Sequence, residues 1–256
     1  MAETSARTIA VTGANGFIGS RLCALLAADA RTTVLPLTRA DGEGGLRDAV
    51  GRADVIAHMA GVTRPREHDE FDAGNRRLTD GLTRLVRDAG KQPLVLFASS
   101  VRALEDTEYG RTKRAAEELL LALAADVGTR VAIFRLGQVI GRGARPYYNA
   151  ITATLLADAA QGRATALNSP NDVLELVDVG DVVRAMADTI ARPPAAMRFL
   201  AVEPTYRTTV GGVAAIAARF GRGEQPDPAS PLEGALFDAY RGYAEAFNPD
   251  LSPRMR

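Results

Sequence analysis

Val11-Thr12-Gly13-Ala14-Asn15-Gly16-Phe17-Ile18-Gly19 joins a short apolar run to a helical pattern. The run at residues 9–12 reads as a buried strand, and residues 17–28 place Ile18, Leu22, Leu25 and Leu26 on one helical face. Between them the glycines follow the spacing G-x-x-G-x-x-G. Gly13 permits the tight turn, Gly16 lets the backbone approach a pyrophosphate, and Gly19 lets helix and strand pack closely. The free N–H groups and positive dipole at the helix start suit phosphate. In this strand–turn–helix setting the stretch predicts a dinucleotide site formed by Gly13, Asn15, Gly16, Phe17, Ile18 and Gly19.

Working outward, further strands are expected at residues 33–37, 55–59, 94–99 and 131–136, with helical patterns at 75–89 and 109–126. This alternation predicts an α/β chain: a Rossmann-type, doubly wound parallel sheet with helices on both faces. Sites in such sheets lie beyond the carboxyl ends of the strands. Segment 40–53 is too short for an additional full β-α unit. After Leu136 the texture changes. A Gly/Arg/Pro loop leads to a helix at 147–162, a strand at 173–178 and a helix at 179–191. A strand at 199–202 precedes a helix at 210–220, capped by Thr208 or Thr209, and a closing helix at 232–247. Residues 1–140 are expected to form the Rossmann core. Residues 141–256 form a small substrate-binding portion interleaved with it, without a strand-rich core of their own.

Composition narrows the functions. Among 256 residues, 31 basic and 31 acidic side chains balance, so nucleic acid and anionic membrane are not expected partners. A single cysteine, Cys23, excludes an internal disulfide framework, and two histidines make a metal centre unfavoured. Cys23 reads as a small core residue, His58 as a satisfied strand-end histidine and His68 as part of a solvated loop. No apolar run approaches the ~20 residues of a membrane span, and the N-terminus lacks a signal-peptide core, so a cytoplasmic protein is expected.

The second strand ends at Leu37-Thr38-Arg39, where an acidic residue would favour NAD by bonding the ribose 2′-hydroxyl. Arg39 can instead neutralise a 2′-phosphate, with Thr38 donating a hydrogen bond, which favours NADP(H) over NAD(H). Asp41, two residues on, competes. Tyr109-Gly-Arg-Thr-Lys113 opens a helix and puts a phenol and an ammonium on one face. A nearby ammonium is expected to lower the phenol pKa, fitting Tyr109 for proton exchange with a carbonyl. Leu94–Ser100 ends in two serines, of which Ser100 is the one placed to hydrogen-bond the reacting oxygen.

Together these residues resemble the extended short-chain dehydrogenase/reductase superfamily, the NAD-dependent epimerase/dehydratase family. Ala57-His58-Met59-Ala60-Gly61 is similar to its segment lining the cofactor, so Ala60 and Gly61 are implied as cofactor contacts. Asn75 resembles the Asn opening its next helix. Arg135-Leu136-Gly-Gln-Val-Ile-Gly141 resembles its Arg-x-x-x-Val-Tyr-Gly segment, which adds Leu136. A closer likeness is to its branch of capsular-polysaccharide reductases that make the UDP-N-acetyl-L-fucosamine precursor. It rests on Ala60-Gly-Val-Thr-Arg-Pro65, the nine-residue spacing of Ser100 and Tyr109, Arg145-Pro-Tyr-Tyr-Asn149 and the closing helix.

This resemblance implies an NADP-dependent oxidoreductase, a reductase of a 4-keto nucleotide-diphospho-sugar. Ser100, Tyr109 and Lys113 would be catalytic, Lys113 also holding the nicotinamide ribose. Arg64, Ser100, Arg145, Tyr148 and Asn149 would contact the substrate. Arg135 is expected to pair with Asp181 or another acid. A nucleotide-sugar 4-epimerase and a non-catalytic NADP-binding redox sensor remain the rival readings. A homodimer is allowed for. Because no cupin-forming strands follow the last helix, a stand-alone reductase served by a separate epimerase is expected.

Overall fold

The computed structural model describes residues 6–67, 69–148 and 150–247. The chain runs β1 (Arg7–Thr12), α1 (Phe17–Ala27), β2 (Thr32–Leu37), α2 (Gly42–Arg52), β3 (Val55–His58), α3 (Leu78–Asp88), β4 (Leu94–Ser100), α4 (Glu108–Val127) and β5 (Val131–Leu136). It continues through β6 (Gln138–Ile140), α5 (Ile151–Ala160), β7 (Val173–Asp178), α6 (Val179–Ala191), β8 (Arg198–Leu200), β9 (Thr205–Thr209), α7 (Val210–Gly221) and α8 (Pro231–Phe247). Two compact units emerge. Among the described residues, the first runs to Leu136 and takes in Asp181–Val202; the second comprises those within Gly137–Gly180 and those from Glu203 to Phe247. The boundary expected at 140 thus falls after Leu136, and α6 with β8 returns to the core.

In the first unit six parallel strands lie in the order β2-β1-β3-β4-β5-β8. The order reverses between β1 and β3, so the crevice at a topological switch point opens at their carboxyl ends. The strands read as continuous apolar runs because both sheet faces are covered. Ile56, Val95, Phe97, Val131 and Ile133 pack with Leu82, Leu85 and Val86 of α3 and with Leu120 and Leu123 of α4. Each fully buried aliphatic or aromatic side chain contributes about 1.5–3 kcal/mol.

Helix α4 has clear start and stop signals. The Thr107 hydroxyl accepts from the Gly110 N–H at 3.0 Å, and Gly128 closes the helix in the left-handed conformation. This fixes Tyr109 in the first turn and Lys113 one turn later.

The second unit corrects the expectation that this part lacks its own sheet. β6, β7 and β9 form three strands, parallel between β6 and β7 and antiparallel between β7 and β9. Beside them α5, α7 and α8 bury Leu156, Val213, Phe220 and Leu236, with Phe220 edge-on to Phe237 at 5.0 Å. Thr209 is the cap of α7. The helix expected from 147 begins only at Ile151, because Tyr147 takes φ 58° and breaks the helical path. Among the described residues no helix is long and apolar enough to cross a membrane, and no group of three metal-binding side chains occurs.

Candidate active site

The glycine turn sits at the switch point. Gly13 has φ 68°, and a Cβ there would lie 2.8 Å from the Ala60 backbone at the end of β3. Only a residue without a side chain allows β1's turn and the post-β3 segment to approach so closely. Gly16 is the N-cap of α1, has no side-chain cap, and is followed by no acidic residue in the first turn. An uncapped helix start beside a glycine cradle fits the pyrophosphate of a dinucleotide. Asn15 and Gly16 are exposed, Phe17 and Ile18 half-buried and Gly19 buried. The predicted inner face of α1 holds at Leu22 and Leu26, while Leu25 is exposed and Cys23 half-buried rather than in the core.

Beneath this turn a directional hydrogen-bond chain ties β1, β3 and α3 together. The Ala60 N–H donates to Thr12 Oγ1 at 3.2 Å, and Thr12 Oγ1 meets His58 Nδ1 at 2.8 Å. On the other side His58 Nε2 meets Thr79 Oγ1 at 3.0 Å, and Thr79 donates to the Asn75 carbonyl at 2.7 Å. Since Thr79 spends its proton on Asn75, it accepts from His58, which is therefore the Nε2–H tautomer and accepts from Thr12. Burial, reinforced by the Lys113 charge, lowers the His58 pKa to about 3. His58 is thus a satisfied neutral histidine, as expected.

Asn75 carries the chain onward. Its Oδ1 accepts from the Val62 N–H at 3.1 Å, while Nδ2 donates to the Val62 carbonyl at 3.0 Å and to Thr112 Oγ1 at 3.2 Å. The loop holding Ala60 and Gly61 is thereby fixed to α4. A Cβ at Gly61 would lie 2.9 Å from Asn75 Oδ1 and 3.8 Å from Lys113 Nζ. The implied cofactor loop and Lys113 therefore adjoin.

Ser100, Tyr109 and Lys113 come together at the carboxyl end of β4 and the start of α4. Ser100 hydrogen-bonds the Tyr109 phenol. Ser100 Oγ also accepts from the Arg102 N–H at 3.2 Å. Ser99 points the other way: it is buried and donates to Glu117 Oε1 at 2.5 Å. Lys113 is buried, donates to the Ala98 carbonyl at 2.7 Å and lies 4.2 Å from the Phe97 ring centroid. Burial lowers its pKa to about 7, with Glu117 pulling the other way.

The phenol departs from expectation. Burial raises the Tyr109 pKa, opposed by the Ser100 hydrogen bond and the Arg102 charge, and not by Lys113. Arg102 Cζ lies 5.9 Å from the Tyr109 ring centroid, and the Phe71 ring centroid lies 5.7 Å from it at an interplanar angle of 49°. Neither residue was foreseen, although Arg102 stands two places after Ser100. Arg135 pairs with an acid as expected, and of the alternatives it is not Asp181, which pairs with Arg184, but Glu117, bound through both oxygens at 3.0 and 2.6 Å. Leu136 closes β5 in register with Ser100.

At the end of β2 the Thr38 hydroxyl does not stand ready for a phosphate. It donates to Asp41 Oδ2 at 2.8 Å, and the Thr38 N–H donates to the same atom at 2.7 Å. These bonds hold the Asp41 carboxyl below the usual carboxylate range. Arg39 is exposed in the short turn that follows.

Arg64 is exposed in the loop after β3. Arg145 and Tyr148 belong to the second unit, where Arg145 Cζ lies 5.0 Å over the Tyr148 ring. Asn149 and His68 lie outside the described residues.

The sequence profile of the NAD dependent epimerase/dehydratase family matches residues 9–197. A UDP-2-acetamido-2,6-beta-L-arabino-hexul-4-ose reductase of Pseudomonas aeruginosa is 40% identical over 206 residues, 80% of this chain and 55% of that one. The crystal structure of the capsular polysaccharide assembling protein CapF from Staphylococcus aureus superposes with a TM-score of 0.83 at 29% identity, covering 94% of this chain and 66% of that chain. UDP-glucuronic acid 4-epimerase from Bacillus cereus, in complex with NAD, shares the fold at TM-score 0.82 and 16% identity, over 96% of this chain and 99% of its own. The chain spans about half the length of the curated reductase it matches.

Proposed function

The chain belongs to the NAD dependent epimerase/dehydratase family, and on that premise we propose that it is an NADP(H)-dependent reductase of a 4-keto nucleotide-diphospho-sugar. The observation that carries this is the convergence of Ser100, Tyr109 and Lys113 beside the Gly13–Ala60 cradle. The similarity to the Pseudomonas reductase supports the substrate class.

A bound nicotinamide dinucleotide would supply hydride to the keto carbon. Backbone groups of Gly13, Asn15, Gly16, Phe17, Ile18 and Gly19 would hold its pyrophosphate, with Ala60, Gly61 and Leu136 lining the crevice. Tyr109 and Lys113 would hold the nicotinamide ribose. Arg39 is the cation offered to a 2′-phosphate, working against the neighbouring Asp41. Tyr109 donates its proton to the carbonyl oxygen as charge develops there, and Ser100 hydrogen-bonds the same oxygen. A phenol whose pKa is raised by burial is held in the protonated form that reduction consumes. Arg64, Arg145, Tyr148 and Asn149 are assigned to the substrate, the arginines suiting its diphosphate.

The test is an incubation with a 4-keto UDP-hexose and NADPH. Reduction consumes NADPH in proportion to the alcohol formed. Interconversion of two epimers without net NADPH loss would replace this reading with the epimerase. Dinucleotide binding without turnover across a panel of keto sugars would replace it with the redox sensor.

A further inference from the structure

We propose that Glu117 is a positioning residue of this site: held by Arg135 and Ser99, its carboxylate keeps the buried Lys113 ammonium charged and seated on the Ala98 carbonyl. Its functional meaning rests on the reductase reading, while the contacts stand independently of it.

Glu117 follows Lys113 by one turn of α4, so both face the sheet. It is 2% exposed, yet its two oxygens receive three donors. Arg135 Nε reaches Oε1 at 3.0 Å and Nη2 reaches Oε2 at 2.6 Å, while Ser99 reaches Oε1 at 2.5 Å. Ser99 and Arg135 are register partners on adjacent strands, so one carboxylate is fixed from two strands at once. Ala98, which accepts from Lys113 at 2.7 Å, directly precedes Ser99 on β4. Pinning Glu117 therefore also sets the height of α4 over that carbonyl, and with it the place of Tyr109 one turn earlier.

A helix-to-sheet staple alone would not call for charge. Buried ion pairs are often matched or bettered by apolar side chains of the same volume. What an apolar pair cannot supply is a negative charge one turn from Lys113. The groups acting around that ammonium are few. His58 on β3 is neutral near pH 7, Tyr109 on α4 is protonated there, and Arg135 on β5 stands behind Glu117. Among the described residues Glu117 is the anion that opposes the cost of burying Lys113.

The composition sharpens this. The chain holds 29 arginines and only two lysines, Lys91 and Lys113. In so arginine-rich a chain, a lysine stands where a compact ammonium must rest on one carbonyl and over one ring, a place a planar guanidinium cannot fill in the same way.

Two lysines also make the test direct. Protein labelled with [ε-13C]lysine, free of cofactor, gives two titrating signals by NMR, assigned with Lys91→Arg. Glu117→Gln is expected to move the Lys113 midpoint down by about 1 pH unit, the low end for loss of a neighbouring opposite charge, and to leave Lys91 unmoved. If that variant does not fold, Glu117→Gln/Arg135→Gln also removes the guanidinium that would be left without its carboxylate, and the Lys113 midpoint is again expected to fall. An unchanged Lys113 midpoint in either folded variant overturns the proposal. Because this readout needs neither cofactor nor ketone, it is separate from failure of the reductase assay on the unaltered protein.

Discussion

Thr12 and His58 are register partners on β1 and β3, and their side chains meet at 2.8 Å directly below the glycine turn. The pair makes the floor of the crevice depend on an uncharged imidazole. A protonated His58 has no acceptor for Thr12, and the chain from Ala60 to Asn75 breaks at its middle.

Acid should therefore weaken this protein in a defined window. The folded His58 pKa is depressed to about 3, below an ordinary value of 6.5. The unfolded chain then binds the extra proton between those values, so the stability present above about pH 6.5 is lost as pH falls toward 3. By pH 5 the expected loss from this group is about 2 kcal/mol. Urea unfolding of the unaltered chain and of His58→Gln, each at pH 7 and pH 5, measures it. An equal pH response in the two proteins would show that His58 is not the sensitive group.

Tyr109→Phe keeps the tilted ring contact with Phe71 and removes the exchangeable proton. Turnover of the keto sugar should fall at least ~10²-fold, with dinucleotide binding largely retained. Steady-state kinetics beside calorimetric titration of the cofactor separates the two effects. Turnover within a few fold of the parent would remove Tyr109 from proton transfer.

Arg39→Ala addresses cofactor choice. A charge-assisted contact to a 2′-phosphate contributes on the order of 1.5–3 kcal/mol, so NADPH affinity should drop roughly tenfold to a hundredfold while NADH affinity stays level. Removing the opposing charge with Asp41→Asn should shift the ratio the other way. Equal NADPH affinity in the parent and Arg39→Ala would sink the assignment.

Gly13→Ala places a methyl 2.8 Å from the Ala60 backbone at φ 68°. The left-handed conformation and the overlap together should cost about 2–4 kcal/mol. Denaturant midpoints at constant m-value check this, and NADPH fluorescence should show weakened binding. A parent-like midpoint would mean that the turn and the post-β3 segment can move apart at little cost.

Much of the core could be read from residue order because its signals are local. Apolar strand runs, the glycine spacing and the Tyr109–Lys113 step each lie within a few residues. What escaped depends on contacts distant in sequence. Helix α2 carries four glycines and buries little besides Ala49 and Val50, so its periodicity is faint. β6 follows β5 after Gly137 alone, and β9 is rich in threonine rather than aliphatic residues. The raised Tyr109 pKa reflects burial by Phe71 and its surroundings, which the spacing to Lys113 does not reveal. Glu117 could have been found: Tyr109, Lys113 and Glu117 stand at successive four-residue steps on one helix face.

The return of the chain to the first unit has a consequence for biogenesis. β5 leaves the ribosome about sixty residues before β8, the strand that pairs with its outer edge. At ~5–20 residues per second, that edge waits roughly three to twelve seconds with its backbone groups unpaired. Such an edge is a template for pairing with another nascent chain. Crowded polysomes would therefore be the setting in which this protein is most exposed to misassembly, and slower decoding between Gly137 and Leu200 would lengthen the hazard.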